Sequence, residues 1–535
     1  MTNPYVIDWI KQTSEFNTSG SESQPSIALY DSGVYVTYTT SGTVEGAGNT
    51  NSDYFDIVVM KMNTGGGVVW VKQNSLFNTS GFDFQPKIAV DASGVYVTYV
   101  TDGTVAGDGN TNSGGVYDIV VMKMNTAGDV AWIKQQSTFN TSGSDLYPSI
   151  AVHASGIYIT YYTFGSVEAL SADERANDGT TDIVVMKMNT EGEVVWIKQR
   201  PSFNTPGNDI EPSIAVDSSG IYITYTTTGT VEGDENMNSG NIDIVVMKMD
   251  TEGEVDWIKQ RPSFNTSGDD TKPSIAVDAS GVYVSCTTSN YYQLGFALLG
   301  RKEGGGVTTS DIVVFKLNKT DGTFNWVKQM SIFNTAGSIN DIDPKIAVDS
   351  SGVYVTYTTD GVAGEGNTNS GDGTSDIVVM RLIEPEPICL LEGTLVRTPT
   401  GSVPIELVKI DDYVLNQHYK PVRVVLTSKT TFEYKTNPTS EYELDNVLYT
   451  IPAGTLGATS NVYLTRHHRF MTSDGTMKKP EEYGLKRSEL SEVCKTSDLY
   501  TVYHLRLEDE YNNHFIVNGD CIVEDWWDWP RPDGL

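Results

Sequence analysis

The sequence predicts an all-β protein: a six-bladed β-propeller followed by a smaller β domain. Three observations predict it. Four strand-like segments recur together six times, the recurrence stops at Leu382, and histidine and cysteine are concentrated beyond that point.

The recurrence defines the first domain. Segments like DIVVMKM begin at Asp56, Asp118, Asp182, Asp243, Asp311 and Asp376. Segments like VVWIKQ place tryptophan at 9, 70, 132, 196, 257 and 326. Segments like PSIAVD begin at Pro25, Pro86, Pro148, Pro212, Pro273 and Pro344, each followed by a Ser-Gly step and a run such as VYVTYTT. All four segments are short, β-branched or aromatic, and bounded by Gly, Asp, Asn and Ser, which is strand chemistry. The Ser-Gly step is a hairpin turn, because glycine accepts positive φ without steric cost. A four-stranded unit cannot bury both of its faces alone, so radial stacking is the economical solution. The chain enters at the tryptophan segment (Val6 to Gln12) and leaves the repeats after DIVVMRL (Asp376 to Leu382). The first residues are therefore expected to supply the outer strand missing from the last blade, which hides two sheet edges.

These repeats resemble the SBBP propeller-repeat family. The likeness rests on the Asp-hydrophobic run, the Gly-x-x-x-Trp step and the Ala-Val-Asp-x-x-Gly-x-Tyr-Val hairpin. That family's name implies seven blades, whereas this sequence contains six copies.

Charge and composition narrow the function. The chain has 535 residues, with 36 Lys and Arg against 69 Asp and Glu, a net of −33. Before Cys389 the counts are 21 and 47 (21 − 47 = −26), so the acid sits mainly in the repeats. Nucleic acid and anionic membranes are poor partners for such a surface. No transmembrane segment and no signal peptide is expected, and a soluble cytoplasmic or particle-associated location follows. Four cysteines (286, 389, 494 and 521) without CxxC spacing make neither a disulfide framework nor a metal site. No cofactor motif is present. Asn-Thr-Ser sequons at Asn17, Asn78 and Asn265 recur because their loop recurs, and read as turn chemistry rather than glycosylation.

Within the propeller, the tryptophans read as packing. His153 replaces the Asp of the AVD turn, and Cys286 stands where the first copy has Tyr38. Asp108, Asn110 and Asn112, repeated as Asp234, Asn236 and Asn238, alternate as calcium ligands do. The glycine is misplaced, no bidentate Glu follows, and the first copy has Gly at the Asp position, so these are weak calcium candidates. The Ser289 to Ser310 loop is longer and carries YYQLGFALLG, an apolar insert and hence a candidate surface for a protein partner.

Beyond the linker (residues 383–388, with IEPEP stiffened by proline) lies CLLEGTLVRTPTGSVPIELVKIDDYVL, starting at Cys389. VYLTRHHRFMTSDGTMKKPEEY and VYHLRLEDEYNNHFIVNGDCIVED follow, and the Trp-rich tail (residues 526–535) ends the chain. These three blocks, in this order over residues 389–525, resemble the Hint (Hedgehog/intein) domain. The matching residues are Cys389, Gly393, Thr394, Thr398, Gly401, Ile405, Glu406 and Asp412, then Thr465 and His468, then Leu507-Glu508-Asp509, Phe515 and Val517-Asn518-Gly519. Asp411 stands where the family usually has Gly.

The resemblance implies single-turnover autoproteolysis. Cysteine is the best side-chain nucleophile near neutral pH. Cys389 Sγ would attack the carbonyl of Ile388 in an N-to-S acyl shift. His468 would protonate the leaving nitrogen, and Thr465 would hold the distorted amide. Complete intein splicing is disfavoured, because Glu524-Asp525 stands where splicing needs His-Asn. The other reading is a non-catalytic scaffold, a surface or virus-particle component with an inert Hint fold. Cys494 and Cys521 read as packing residues. A propeller hydrolase ranks last, since the repeats carry no clustered acid-base set.

Overall fold

The computed structural model describes residues 11–31, 33–46, 48–52, 54–167, 180–290, 293–294, 297–298, 310–329, 334, 340–349, 352–362, 375–382, 390–433, 448–465, 470–473, 476–478, 483–485, 499–507 and 514–524. The chain divides into two compact units, Met1–Leu382 and Ile383–Leu535. Both are built from antiparallel strands, and no helix among the described residues is long and apolar enough to cross a membrane.

Unit one contains five four-stranded sheets and a three-stranded one. The first sheet runs Glu22–Tyr30, Gly33–Thr40, Asp56–Asn63 and Val68–Lys72. The sixth consists of Asp341–Asp349, Gly352–Thr359 and Asp376–Leu382. Each sheet follows the segment order read from the sequence, PSIAVD, VYVTYT, DIVVMKM, WIKQ, the sixth showing the first three. The third segment carries a β-branched Ile-Val-Val run and is buried on both faces in the interior sheets, for example over Asp182–Met188. Neighbouring sheets meet through their first strands in chain order, and these are called inner strands below.

Two repeated devices join neighbouring sheets. The indole N–H of four outer-strand tryptophans donates to a turn carbonyl of the next sheet: Trp70 to Thr126 O, Trp132 to Thr190 O, Trp196 to Thr251 O and Trp257 to Lys319 O, at 3.0–3.1 Å. The Gly of the Gly-x-x-x-Trp step lies flat against the preceding tryptophan. At Gly192 (φ +81) a Cβ would sit 2.9 Å from the Trp132 ring, so both conformation and space demand glycine. The second device is the Phe-Asn-Thr turn. Asn78 accepts from Ile57 N at 2.7 Å and donates to Ile57 O at 3.0 Å, a two-point amide clamp repeated by Asn140, Asn204, Asn265 and Asn334. Asn78 and Asn265 are buried, which explains their sequons as structural.

Single departures from the repeat are absorbed locally. His153 Nδ1 meets Ser155 Oγ at 3.1 Å, standing in for the Asp91–Ser93 contact of the second sheet. Where Tyr99, Tyr161 and Tyr225 donate to a Phe carbonyl, Cys286 cannot. Phe315 replaces the usual Met beside it and stacks on Phe264 at 4.7 Å, filling the space.

The two terminal sheets differ from the rest. Ile27 (65%) and Leu29 (72%) of the first sheet are exposed, as are Ile377 (78%) and Val379 (70%) of the sixth. The equivalent Ile88 and Ile119 are buried. These apolar faces of the two terminal sheets are therefore open. Of the closing strand expected over Val6 to Gln12, residues 6–10 lie outside the described residues, and Lys11 and Gln12 belong to no strand.

Unit two is a pair of six-stranded sheets. One is ordered Tyr413–Leu415, Pro421–Glu433, Leu499–Leu507, Leu390–Leu391, Val462–Thr465, Leu448–Ile451. The other is ordered Gly401–Pro404, Leu395–Thr398, His514–Val517, Cys521–Glu524, Phe470–Met471, Met477–Lys478. Their shared core includes Leu390, Val396, Val424, Leu464, Phe515 and Val523. Asp411 has φ +73, and its carboxylate pairs with Arg423 at 2.7 Å. The turn thus demands the left-handed conformation that glycine would supply, and Asp tolerates it.

Candidate functional site

The strand that begins immediately after Cys389 is the centre of the first six-stranded sheet. Leu390 pairs with Leu464 on one side and Tyr503 on the other. Leu464 precedes Thr465, the last residue of its strand, which pairs with Leu448. Burial drives this insertion, because Leu390 and Leu464 are both fully inaccessible. Ile388, Cys389, His467 and His468 lie outside the described residues.

A polar frame holds the three sequence blocks together. Gly393 N donates to Glu406 Oε2 at 2.9 Å, and Thr394 Oγ1 donates to Leu391 O at 2.6 Å. These contacts fix the turn that follows the Leu390 strand. Asn518, buried and at φ +43, joins all three blocks. Its Oδ1 accepts from Leu395 N at 2.7 Å and its Nδ2 donates to Asn461 O at 2.7 Å. Its carbonyl accepts from Thr459 Oγ1 at 2.9 Å. Asn461 leads directly into the Val462–Thr465 strand. Asn461 and Thr459 were not predicted; nothing local in the sequence distinguishes them from other loop residues.

Tyr503 also escaped the sequence reading. Partial burial, with the Glu392 and Glu406 carboxylates nearby, raises its phenol above the ordinary tyrosine range. Cys521 is a buried free thiol, pushed by burial up to about 12, so it stays protonated and unreactive at neutral pH. That agrees with a packing role. Cys494 lies outside the described residues.

The asparagines among the weak calcium candidates hydrogen-bond to backbone groups. Asn110 Oδ1 accepts from Gln135 N at 2.9 Å, and Asn236 Oδ1 accepts from Gln260 N at 2.9 Å. Asn112 Oδ1 accepts from Gly114 N, and Asn238 donates to Thr228 O and Gly229 O. Asp108 and Asp234 are exposed. Among the described residues no group of three His, Cys, Asp or Glu side chains could hold a metal. In the Ser289 to Ser310 loop, Gln293–Leu294 and Ala297–Leu298 pair as a short hairpin. The rest of that insert, apart from Ser289, Asn290 and Ser310, lies outside the described residues.

No protein-family model matches the sequence, and no curated protein matches it. Solved structures do. A protein of unknown function from Dyadobacter fermentans is 10% identical over 69% of this chain and 96% of its own, with a TM-score of 0.38. A bacterial intein-like domain from Clostridium thermocellum is 16% identical over 25% of this chain and 96% of its own, with a TM-score of 0.19. An endo-arabinanase of glycoside hydrolase family 43 from Bacillus licheniformis is 13% identical over 57% of this chain and 96% of its own, with a TM-score of 0.27.

Proposed function

We propose that the C-terminal unit is a Hint-like self-processing module that cleaves the chain between Ile388 and Cys389 and releases the N-terminal unit, itself a six-bladed propeller. The observation that carries this reading is the pairing of Leu390, the residue after Cys389, with Leu464, the residue before Thr465. Two elements named independently from sequence motifs are thereby neighbours in one sheet.

In the proposed step, Cys389 Sγ attacks the Ile388 carbonyl carbon. The C–N bond breaks, the thiol proton ends on the departing nitrogen with His468 as carrier, and a thioester remains. Water then adds to the thioester carbon. Its hydroxyl stays on Ile388 as the new carboxylate, and the thiol is restored on Cys389. Thr465 is assigned to the scissile amide. His504 follows Tyr503 on the opposite flanking strand and is the control for the histidine assignment.

Intact mass spectrometry of the full chain, with and without hydroxylamine, tests the reading. Fragments meeting at Ile388/Cys389 are expected, with faster release in hydroxylamine. They should be absent in Cys389→Ala, strongly slowed in His468→Ala and retained in His504→Ala. A single full-length mass under every condition refutes self-processing and leaves the scaffold reading.

A further inference from the structure

In near-identical repeats the departures are informative, and three of them meet at the joint between the first and second sheets. Two residues before the aspartate that opens the third strand stands Tyr54, where the other repeats carry Val116, Thr180, Asn241, Thr309 and Thr374. One residue before the inner strand stands Phe82, where the others carry Ser21, Ser144, Asn208, Asp269 and Asn340. Directly after the second strand stands Asp102, where the others carry Ser41, Phe164, Thr228, Ser289 and Asp360. Polar, uncharged residues prevail at these positions, so two aromatic rings and a carboxylate at one joint are not a requirement of the repeat.

The fold brings the three together. Asp83 N donates to Phe55 O at 2.8 Å, which sets the start of the second inner strand against the residues that precede Asp56. Phe82 N donates to Asp102 Oδ1 at 2.7 Å, and Asp102 N donates to Phe82 O at 3.2 Å. The Phe82 ring meets two others, Tyr54 at 4.7 Å with a 38° tilt and Phe55 at 6.2 Å with a 27° tilt. Tyr54 is 51% and Phe82 37% exposed, so the packed rings still present an open aromatic surface. Asp102 is half-buried beside them, and among the described residues its Oδ2 carries no hydrogen bond. The surrounding loops, residues 41–56, 73–86 and 101–118, contain no Lys or Arg, and Glu45 and Asp108 are exposed in them. The patch is therefore aromatic and anionic, without a cation in its own loops.

We propose that the patch formed by Tyr54, Phe82 and Asp102 docks an arginine side chain presented by a basic segment of a partner protein. A guanidinium is planar, so it stacks on an aromatic face while its N–H groups donate to a carboxylate. An ammonium is a strongly hydrated point charge and gains less from the rings. A neutral apolar partner would cover Asp102 without supplying a counter-charge. An acidic partner would be repelled by Glu45, Asp102 and Asp108, whereas the same field draws a cationic segment in.

The test is calorimetric titration of the full chain at neutral pH and constant ionic strength with tetra-arginine amide, tetra-lysine amide and the neutral sugar maltoheptaose. Tetra-arginine is expected to saturate the protein and to bind several-fold more tightly than tetra-lysine. The double variant Tyr54→Thr/Phe82→Ser removes the rings and no charge, so general attraction to an acidic protein is unchanged, and binding should weaken about tenfold. Asp102→Ser keeps the loop, because Ser41 Oγ accepts from Ser21 N at 2.9 Å at the equivalent place in the first sheet. It should weaken binding by a similar factor. All three replacements are residues that other repeats carry at these positions, and an unchanged Tm checks that each variant is folded. No saturation by tetra-arginine, equal affinity for tetra-lysine, equal binding by the variant without the rings, or saturation by maltoheptaose alone overturns the proposal.

Discussion

Replacing Asp145 with asparagine should make the protein more resistant to unfolding at pH 8 and leave it almost unchanged at pH 4. Asp145 is fully buried between neighbouring sheets. Thr141 N donates to its Oδ2 at 2.8 Å, and Thr141 Oγ1 to its Oδ1 at 3.2 Å. Burial, opposed by the threonine hydrogen bonds and helped by the charge of Asp118, raises its carboxyl from 3.8 to about 7. The same holds for Asp83, Asp209 and Asp270. The native state therefore holds a proton that the unfolded chain has lost between about pH 4 and pH 7. The stability this contributes is complete below pH 4 and disappears as pH rises through 7. A shift of about three units at about 1.4 kcal/mol per unit amounts to about 4 kcal/mol per site. Asparagine keeps the acceptor for Thr141 N and carries no charge to bury, so at pH 8 it recovers up to that amount. Urea unfolding followed by tryptophan fluorescence, at pH 4, 6 and 8, measures the difference. A variant less stable than wild type at pH 8, or a gap independent of pH, would refute the account.

Two further perturbations probe the scaffolds. Asn78→Ala strands Ile57 N–H and C=O in a buried site and should cost about 2–4 kcal/mol, read as a lower urea midpoint; an unchanged midpoint would remove the clamp from the account. Asn518→Ala breaks the joint between Leu395 and Asn461 and should cost about 2–3 kcal/mol in the C-terminal unit. Amide exchange should then rise at Leu395 and along Val462–Thr465, and protection equal to wild type at both places would contradict its linking role.

Much of the architecture was legible because its signals are local and repeated. Among the described residues the DIVVMKM, WIKQ and PSIAVD segments form strands in the expected order, apart from Lys11 and Gln12, and Trp70, Trp132, Trp196 and Trp257 pack with a polar tether. Asp411 was read as a turn substitution and occupies a left-handed turn. Asn110 and Asn236, weak calcium candidates by spacing, accept hydrogen bonds from the backbone N–H of Gln135 and Gln260. Alternating oxygen-bearing residues look the same in both uses; only the direction of their hydrogen bonds separates them. The clamp asparagines were legible as turn residues, but their partners lie about twenty positions away in chain and on another strand.

The sequence by itself determined the periodicity, the all-β character and the division near Leu382, since strand propensity, turn chemistry and composition act over a few residues. Tertiary structure decided what those residues do for one another. Four aspartates that look like ordinary turn acids became proton-binding groups, because sheet stacking removed them from water. Leu390 came to lie between Leu464 and Tyr503 through long-range pairing that satisfies backbone hydrogen bonds and buries Leu390 and Leu464 at once.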